Sequence, residues 1–385
     1  MKPCIVVFNA GSSTIKFSLF EDDGGLLFGG DVDGIFNAPV ITVKNSSGEK
    51  IHEASDLSVG HDAAISAILQ WIESGTQGLE VIACGHRVVH GGVEFSAPVI
   101  IDSEILRKLK DLIILAPLHQ PHNIKAIEAF AAFHPDVPQV ACFDTAFHHD
   151  QPNLTKHFAL PTKYTEEGII RYGFHGLSYQ YIASKLPDFE EVKSIDKVVV
   201  AHLGNGASMC AMKDLKSVAT TMGFTALDGL VMGTRCGDID PGVILYLLNE
   251  KGFTSEQVSD LLYKESGLKG VSGISFDMRE LLESNDEKAR EAIELFCYQA
   301  AKQLAGLIPS MGGLDAIVFT AGIGEHVPLV RSKICGYLSW LGIELDAPAN
   351  DSNEAVISSK NSGIDVLVVT TNEEFVVAKL TKDLL

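Results

Sequence analysis

The sequence predicts an α/β protein made of two related halves. Apolar runs of strand length recur along its 385 residues, at 5–8, 81–89, 139–143, 198–203, 316–320 and 366–370. Between them lie stretches with the three- and four-residue apolar spacing of helices, at 61–71, 123–133, 179–186, 242–249, 255–263 and 287–308, the last expected to be stopped by Pro309 and the pair Gly312-Gly313. Strands that alternate with helices in this way indicate mixed sheets covered by helices.

Two of the apolar runs end in closely similar polar turns, which indicates a duplication. The run at 5–8 leads into Asn-Ala-Gly-Ser-Ser-Thr-Ile-Lys at 9–16, and the run at 198–203 leads into Gly-Asn-Gly at 204–206. Small residues allow backbone amides to face outward in a concave turn, which suits phosphate oxygens. The pair predicts a duplicated domain that holds one polyphosphate from two sides.

The domain boundary has to be placed from this repeat, because no proline-rich linker separates the halves. We place it near 145–160, where Asp-Gln-Pro-Asn at 150–153 predicts a turn. The predicted domains are therefore 1–150, for acyl substrate and phosphate, and 151–371, for nucleotide and dimerisation. The segment 372–385 is predicted to be a helix that packs on the first domain.

The composition disfavours several partners and compartments. A formal net charge of -20 argues against binding to nucleic acid, which requires a basic face. An apolar fraction of 46% is ample for folded cores. No stretch approaches the roughly 18 apolar residues of a membrane span, and the first apolar run is too short for a signal peptide. Seven scattered cysteines without a Cys-x-x-Cys pair predict reduced thiols in a cytoplasmic protein.

Two familiar nucleotide motifs are absent from the sequence, but a third glycine turn is present. A P-loop needs a Gly-Lys pair, which the chain lacks, and a dinucleotide fingerprint that begins at Gly322-Ile323-Gly324 fails because residue 327 is valine. The turn at 320–325 again follows an apolar run. A single turn of this kind is more often an ordinary loop than a ligand site. Three such turns, each following a strand, favour nucleotide binding.

Two arginines stand in positions that suit an anion. Arg87 lies in an apolar strand that ends at Gly91-Gly92, where burial is costly unless the guanidinium meets a negative group. Arg235 lies in a loop rich in glycine, threonine and aspartate. The alternatives are a salt-bridged arginine at a strand end and a loop arginine paired with Asp238 or Asp240.

The acidic and histidine candidates have open interpretations. Asp144 ends an apolar run, which fits a helix cap and a metal ligand equally well. His175 between glycines, beside an aromatic residue, suggests exposure in a cleft. His86 and His90 have a spacing that suits metal binding on a helix, but the strand pattern favours core histidines. The other loop histidines are predicted at the surface: His148, His149 and His157.

Cations dominate the set of candidates, although the protein is acidic overall. The set comprises Asn9, Lys16, Arg87, His119, Asp144, His175, Arg235 and Glu373. Such a selection suits phosphoryl transfer, in which the protein mainly neutralises spreading negative charge. Acyl hydrolysis is disfavoured because the chain has no Gly-x-Ser-x-Gly elbow.

Together these motifs resemble the acetate/propionate kinase family. The matching segments follow the expected order along almost the whole chain, at 9–16, 85–92, 116–119, 143–148, 172–176, 202–206, 232–240, 320–325 and 371–374. The resemblance implies the sugar kinase/Hsp70/actin fold, with two duplicated α/β domains and the nucleotide in the cleft between them. It also implies reversible in-line phosphoryl transfer from ATP to acetate, giving acetyl phosphate and ADP, with Mg²⁺ or Mn²⁺ and in a homodimer.

The resemblance also implies roles for particular residues. The catalytic residues would be Asp144, His175 and Arg235, and the metal would be placed by Asn9 and Glu373. The substrate would meet Arg87 and His119, with an acyl pocket made by Val89, Leu118, Phe174 and Ala226. ATP would be bound by Lys16, His202, Leu203, Gly204, Asn205, Gly206, Asp277, Met278, Arg279, Gly322, Ile323, Gly324, Glu325 and His326. Because acetate is already ionised at neutral pH, Asp144 is expected to orient Mg²⁺ or an arginine.

The chain departs from the family pattern at two places. Thr-Ala-Leu-Asp at 225–228 replaces the usual Thr-Pro-Leu-Glu, and the smaller Ala226 predicts use of both acetate and propionate. His326 replaces a commoner asparagine beside the base. The alternative functions are a butyrate or branched-chain acid kinase and an actin-like or chaperone-like ATP-binding protein. The latter would have no use for Arg87, Arg235 and His175 in one cleft.

Overall fold

The chain forms two compact units in a computed structural model that describes residues 1–11, 14–55, 57–76 and 78–385. The first unit comprises Met1–His149 and Asn372–Leu385, and the second comprises Asp150–Thr371. Ser12 and Ser13 of the first predicted phosphate turn lie outside the described residues. The segment 372–385 thus belongs to the unit that carries the N-terminus.

The strands of the first unit form one mixed sheet. They are β1 (Lys2–Ala10), β2 (Ile15–Glu21), β3 (Leu26–Asp33), β4 (Val40–Asn45), β5 (Lys50–Ala54), β6 (Leu79–Val88), β7 (Val99–Ile100) and β8 (Gln139–Phe143), in the sheet order β5-β4-β3-β2-β1-β6-β8-β7. The second unit has β9 (Lys197–Leu203), β10 (Ala207–Lys213), β11 (Lys216–Thr220), β12 (Ala316–Thr320) and β13 (Asp365–Val368), in the order β11-β10-β9-β12-β13.

Helices follow the strands in both units. Those before residue 200 are α1 (His61–Gly75), α2 (Ser103–Asp111), α3 (Gln120–Phe133), α4 (Asn153–Lys156), α5 (Thr162–Glu166) and α6 (Gly176–Lys185). The later ones are α7 (Pro241–Asn249), α8 (Ser255–Lys264), α9 (Gly267–Ser272), α10 (Met278–Glu283), α11 (Glu287–Met311), α12 (Ala321–His326), α13 (Pro328–Tyr337), α14 (Ala347–Asp351) and α15 (Glu373–Lys382). The described part of the chain has no helix with the length and apolar character needed to cross a membrane.

The two sheets share one strand plan, which confirms the predicted duplicated α/β fold. In the first unit β1 pairs antiparallel with β2 and parallel with β6, which is parallel to β8. In the second, β9 pairs antiparallel with β10 and parallel with β12, which is parallel to β13. The two glycine-containing turns therefore occupy equivalent positions: one joins β1 to β2, and the other joins β9 to β10.

The sequence analysis missed the outer hairpin strands. β3 has the sequence LLFGGDVD, in which only Val32 is buried, so it gives no continuous apolar run. A strand that is solvated on one side alternates apolar and polar residues, and glycines weaken even that signal. The central strands were found because parallel strands buried on both faces form continuous apolar runs.

Two local expectations were wrong, the first only in part. Helix α11 does not stop at Pro309 but continues to Met311. The predicted glycine pair does end it, because Gly312 has φ +70° and donates to the carbonyls of Ile308 and Pro309. Proline forfeits only one helical N–H, and glycine adopts the left-handed cap without strain. His148 is buried rather than at the surface, because it lies in a tight 3₁₀ turn directly after the central strand β8.

His86 is a buried histidine with one ring nitrogen that has no hydrogen-bond partner in the described structure. Its Nε2 lies 2.7 Å from Gln139 Oε1 and 3.3 Å from Cys84 Sγ, while Nδ1 has no partner there. The ring stacks on Phe8. Burial lowers the pKa of His86 to about 4, which outweighs the hydrogen bond with Gln139. The predicted reading of a core histidine is therefore right.

This pKa predicts a loss of stability in mild acid. The unfolded chain takes up the His86 proton near pH 6.5 and the folded chain only near pH 4, so folding stability falls as the pH drops between these values. The expected contribution is about 3 kcal/mol in total. We expect the free energy of unfolding, measured by chemical denaturation, to fall between pH 7 and 4.5 in the wild type. It should fall less in the variant His86→Gln. The exposed control His157→Gln should follow the wild type, and equal slopes for all three would contradict the assignment.

Candidate active site

In the first unit, three polar residues stand at the carboxyl ends of neighbouring parallel strands. Asn9 is near the end of β1, Arg87 near the end of β6, and Asp144 directly follows β8. Side chains at this edge of a parallel sheet meet in space, which is why ligands commonly bind there. Glu373 joins them as the first residue of α15, where the helix dipole favours a carboxylate.

Arg87 is the centre of this cluster. Its Nε and Nη2 donate to both oxygens of Asp144, at 3.0 and 2.8 Å. Its Nη1 donates to Asn9 Oδ1 at 3.1 Å and forms an ion pair with Glu373 at 2.8 Å. Asn9 Nδ2 donates in turn to Glu374 Oε1 at 3.1 Å. The sequence left open whether Arg87 is ion-paired at the end of its strand, and the structure shows that it is. Asp144 is the residue that orients its guanidinium.

The charges of the cluster are unbalanced. Burial alone would lower the pKa of Arg87, but the charge of Asp144 and then that of Glu373 outweigh it and raise this pKa. Burial raises the pKa of Glu373, with Arg87 opposing this and the neighbouring Glu374 adding to it. The charge of Lys16 also lowers the pKa of Glu373, more weakly than Arg87 does. Three carboxylates thus stand against two cations, Arg87 and Lys16, and the cluster would gain from a further cation.

The oxygen donors here fit Mg²⁺, although the described residues contain no group of three or more His, Cys, Asp or Glu arranged to hold a metal. Mg²⁺ commonly takes only one or two protein carboxylates and completes its shell with water and phosphate oxygens. Asn9 and Glu373 supply an amide and a carboxylate oxygen, at 3.1 and 2.8 Å from the same atom, Arg87 Nη1. The surplus negative charge agrees with such an ion.

The remaining predicted residues of the first unit lie nearby in the fold or at its surface. Lys16 is exposed on β2 and is the register partner of Asn9 across the hairpin. Val89 is buried after β6, with its N–H donating to Asn123 Oδ1. Leu118 and His119 are half-buried in the turn that leads into α3, where His119 is the N-cap residue.

In the second unit, two histidines form a stacked pair. The rings of His175 and His202 lie 4.2 Å apart between centroids and are almost parallel. His175 Nδ1 lies 2.8 Å from Ser208 Oγ, which also bonds to the hydroxyl of Tyr179. His202 Nδ1 lies 2.9 Å from Ser178 Oγ. Both Nδ1 atoms are thus held by serine hydroxyls, which fixes the ring planes.

Arg235 lies against the glycine turn that follows β9. A methyl group at Gly206 would come within 2.7 Å of Arg235 Nη2 and 3.5 Å of His175 Nε2, so the guanidinium and the imidazole both lie directly against this glycine. The backbone of this turn is fixed by a hydrogen bond from the N–H of Gly233 to the carbonyl of Asn205, at 3.0 Å. Phe174, the residue before His175, is buried.

No carboxylate within the described structure forms an ion pair with Arg235. Its Nη1 donates to the carbonyl of Ala226 at 2.6 Å, and burial lowers its pKa to about 10, so it remains charged at neutral pH. The alternative pairing with Asp238 or Asp240 is not found; Asp238 lies 3.9 Å from Lys302 instead. A half-buried cation without a counter-charge is stabilised by an anion beside it.

The residues predicted to bind adenosine lie in two segments. Asp277 is the N-cap of α10 and forms an ion pair with the exposed Arg279, with 2.6 Å between Oδ2 and Nη2. Met278 is buried. In the other segment, at 322–326, an added methyl group at Gly322 would meet nothing within 4 Å, and His326 is exposed. These assignments stay predictions, like the other ligand roles.

Sequence analysis assigned no role to several polar residues of both sites. They are Glu374, Ser178, Tyr179, Ser208 and Thr371. Ser178 and Ser208 lie within a helix and a strand, where serine carries no motif signal, and only their contacts reveal them. Thr371 and Glu374 lie in the matching segment 371–374, but the sequence does not indicate which groups they contact.

The Acetokinase family model matches residues 4–379. The chain belongs to the Acetokinase family. It is 50% identical to the acetate kinase of Rhodopseudomonas palustris strain CGA009, over 98% of each chain, and 48% identical to that of Methylocella silvestris, over 100% of this chain and 98% of that one. This Acetokinase member is also similar to solved structures of a propionate kinase from Francisella tularensis, with a TM-score of 0.93, 37% identity and full coverage of both chains, and of Porphyromonas gingivalis acetate kinase, with a TM-score of 0.87, 35% identity and 99% coverage of each.

Proposed function

We propose that this protein catalyses the reversible transfer of the γ-phosphoryl group of ATP to the carboxylate of acetate, giving acetyl phosphate and ADP. The observation that carries the proposal is Arg235, a cation without a carboxylate partner in the described structure, beside the glycine turn at 204–206 and the His175 ring. Membership of the Acetokinase family supports the same reaction. An actin-like or chaperone-like role explains neither observation.

Arg87 would bind the acetate carboxylate. The described contacts use four of its five N–H groups, which leaves one N–H of Nη2 for a further oxygen. Asp144 fixes the guanidinium plane through both of its oxygens, so the remaining N–H points in one direction. Acetate is already a nucleophile at neutral pH, and no residue is needed to remove a proton from it.

His175 and Arg235 would stabilise the phosphoryl group during transfer. Charge spreads over three phosphoryl oxygens in the transition state, and fixed donors aimed at them lower its energy. The two side chains meet at Gly206, and His175 is held by Ser208. The turn of His202, Leu203, Gly204, Asn205 and Gly206 would hold the adjacent phosphates together with Lys16. Asp277, Met278, Arg279 and residues 322–326 would bind the adenosine.

Mg²⁺, or Mn²⁺ in its place, would be held by Asn9 and Glu373. A bound divalent ion neutralises phosphate charge and orients the polyphosphate. Acetate adds a further anion beside a cluster in which three carboxylates already stand against two cations, Arg87 and Lys16. The need for a counter-charge supports the ion at this position.

Replacing Glu373 with glutamine should selectively weaken the binding of Mg²⁺. We expect the Mg²⁺ concentration for half-maximal activity to rise by about 10- to 100-fold, because a charged ligand is lost while Asp144 still holds Arg87. The matched control is Glu374→Gln, whose amide oxygen can still accept from Asn9 Nδ2 and which should shift the Mg²⁺ curve much less. Identical Mg²⁺ curves for the wild type and Glu373→Gln would contradict the assignment.

The acyl pocket would be formed by Val89, Leu118, Phe174 and Ala226, beside His119. An extra methylene in such a pocket is worth only about 1–3 kcal/mol, so the small Ala226 should admit both acetate and propionate. The ratio of kcat/KM for the two acids tests this, and a preference for butyrate would point to the rival kinase class.

We further propose that the enzyme is a cytoplasmic homodimer joined through its second unit. Helix α7 has the sequence PGVILYLLN, yet none of its residues is buried, and Val243, Leu245 and Tyr246 are 41%, 58% and 52% exposed. A continuous apolar helix face of this kind is usually covered by a partner. Light scattering on the purified protein should give twice the mass of 41.4 kDa; a single-chain mass would contradict the dimer.

The reaction itself is tested by trapping its product. Purified protein with ATP, Mg²⁺, acetate and hydroxylamine should form acetyl hydroxamate in proportion to ADP. Acetyl phosphate with ADP should give ATP in the reverse assay. Folded protein that forms neither product would exclude the proposed function and favour a nucleotide-binding role without transfer.

A further inference from the structure

The carboxylate of Glu325 accepts three hydrogen bonds from within the second unit. It is buried, and its Oε1 accepts from the backbone N–H of Ala321 at 2.8 Å, from Thr320 Oγ1 at 3.3 Å and from the backbone N–H of Thr371 at 3.1 Å. Ala321 has φ +64°, a strained value for a residue with a side chain. Glu325 therefore holds the turn at 320–325 in shape and ties it to Thr371.

Thr371 extends this connection toward the other ligand turn. Its hydroxyl lies 2.8 Å from Ser178 Oγ, and Ser178 Oγ lies 2.9 Å from His202 Nδ1. Ser178 is fully buried, so its hydroxyl is confined to the protein interior. Thr371 thus joins the two turns, with its N–H toward Glu325 and its hydroxyl toward His202.

The proton of His202 can be placed along this chain. A phosphate oxygen accepts hydrogen bonds, so His202 must carry its proton at Nε2 to hold one. Nδ1 is then an acceptor, which requires Ser178 to donate to it. The Ser178 oxygen in turn accepts a hydrogen bond from the hydroxyl of Thr371, so the donor and acceptor of each hydrogen bond from Thr371 to His202 are fixed.

We propose that Thr371 and Ser178 are positioning residues that fix His202 as the Nε2–H tautomer and link the predicted adenosine turn to the predicted phosphate turn. The inference rests on the proposed function, because it takes His202 as a phosphate ligand. The hydroxyls of Ser178 and Thr371 are engaged within the protein, so their loss changes the ring orientation and tautomer of His202 and leaves the binding groups in place.

Kinetics of three variants test the link. Ser178→Ala should lower kcat about tenfold and Thr371→Val, which keeps the backbone N–H, several-fold, with KM for acetate unchanged. Thr371→Ser retains the hydroxyl and should stay within about twofold of the wild type. The double variant Ser178→Ala/Thr371→Val should be no slower than Ser178→Ala, because both substitutions interrupt the same series of hydrogen bonds to His202. Multiplicative losses, or wild-type rates in both single variants, would overturn the proposal.

The tautomer gives a readout that does not need turnover. In ¹⁵N spectra of the histidine side chains, the His202 ring should show protonated Nε2 in the wild type and a mixture of both tautomers in Ser178→Ala, with His202→Gln identifying the signal. A wild type with Nδ1 protonated would overturn the inference even in an active enzyme. If the wild type formed no acetyl phosphate, the proposed function would fail, and these spectra would still decide the hydroxyl direction.

Discussion

Arg235→Ala should lower kcat by about 10²-fold or more and leave the protein folded. The expected loss corresponds to removal of one donor aimed at charge that develops in the transition state. Folding should not suffer, because the guanidinium makes one hydrogen bond, to the Ala226 carbonyl, and burial lowers its pKa to about 10. Removing a cation that has been desolvated without a counter-charge relieves a cost.

The measurement is steady-state kinetics beside thermal unfolding. The unfolding midpoint of Arg235→Ala should equal or exceed that of the wild type. Arg290→Ala is a matched control, because Arg290 also donates to a backbone carbonyl, that of Asn285, but is exposed and far from the glycine turns in sequence. A near-wild-type kcat in Arg235→Ala would remove the proposed role of this residue.

Arg87→Ala should instead damage activity and stability together. The substitution removes the cation on which Asp144, Glu373 and Asn9 converge, and the Asp144 side chain is only 2% exposed. Breaking a buried ion pair by removing one partner costs about 3–5 kcal/mol, because the remaining charge is left unpaired. Loss of the carboxylate-binding donor should lower turnover by about 10²-fold or more.

A second substitution separates the two effects of Arg87→Ala. Adding Asp144→Asn removes the stranded charge, so Arg87→Ala/Asp144→Asn should recover part of the free energy of unfolding and none of the activity. Arg107→Ala provides the surface control, since its pair with Asp111 is exposed and contributes about 0–1 kcal/mol. An Arg87→Ala variant as stable as the wild type would show that the pair is not the buried interaction described above.

The two arginines illustrate what can be read from a sequence. Both were selected because a charged side chain stands among apolar or small residues, and that costly placement is visible locally. Their difference is not visible locally: Arg87 meets Asp144 and Glu373, 57 and 286 residues away, whereas Arg235 meets no carboxylate in the described structure. Which partner a charge finds depends on which strand ends the fold brings together.

By itself, the sequence determined the α/β class, the duplication, the family and the residues that end the central strands. These features follow from apolar runs, glycine turns and short motifs, all of which involve residues close together in the chain. Only the tertiary structure decided that His148 is buried and that Thr371 joins Glu325 to Ser178. Hydrogen bonds between residues 46 or 193 positions apart depend on packing, for which neither periodicity nor propensity carries a signal.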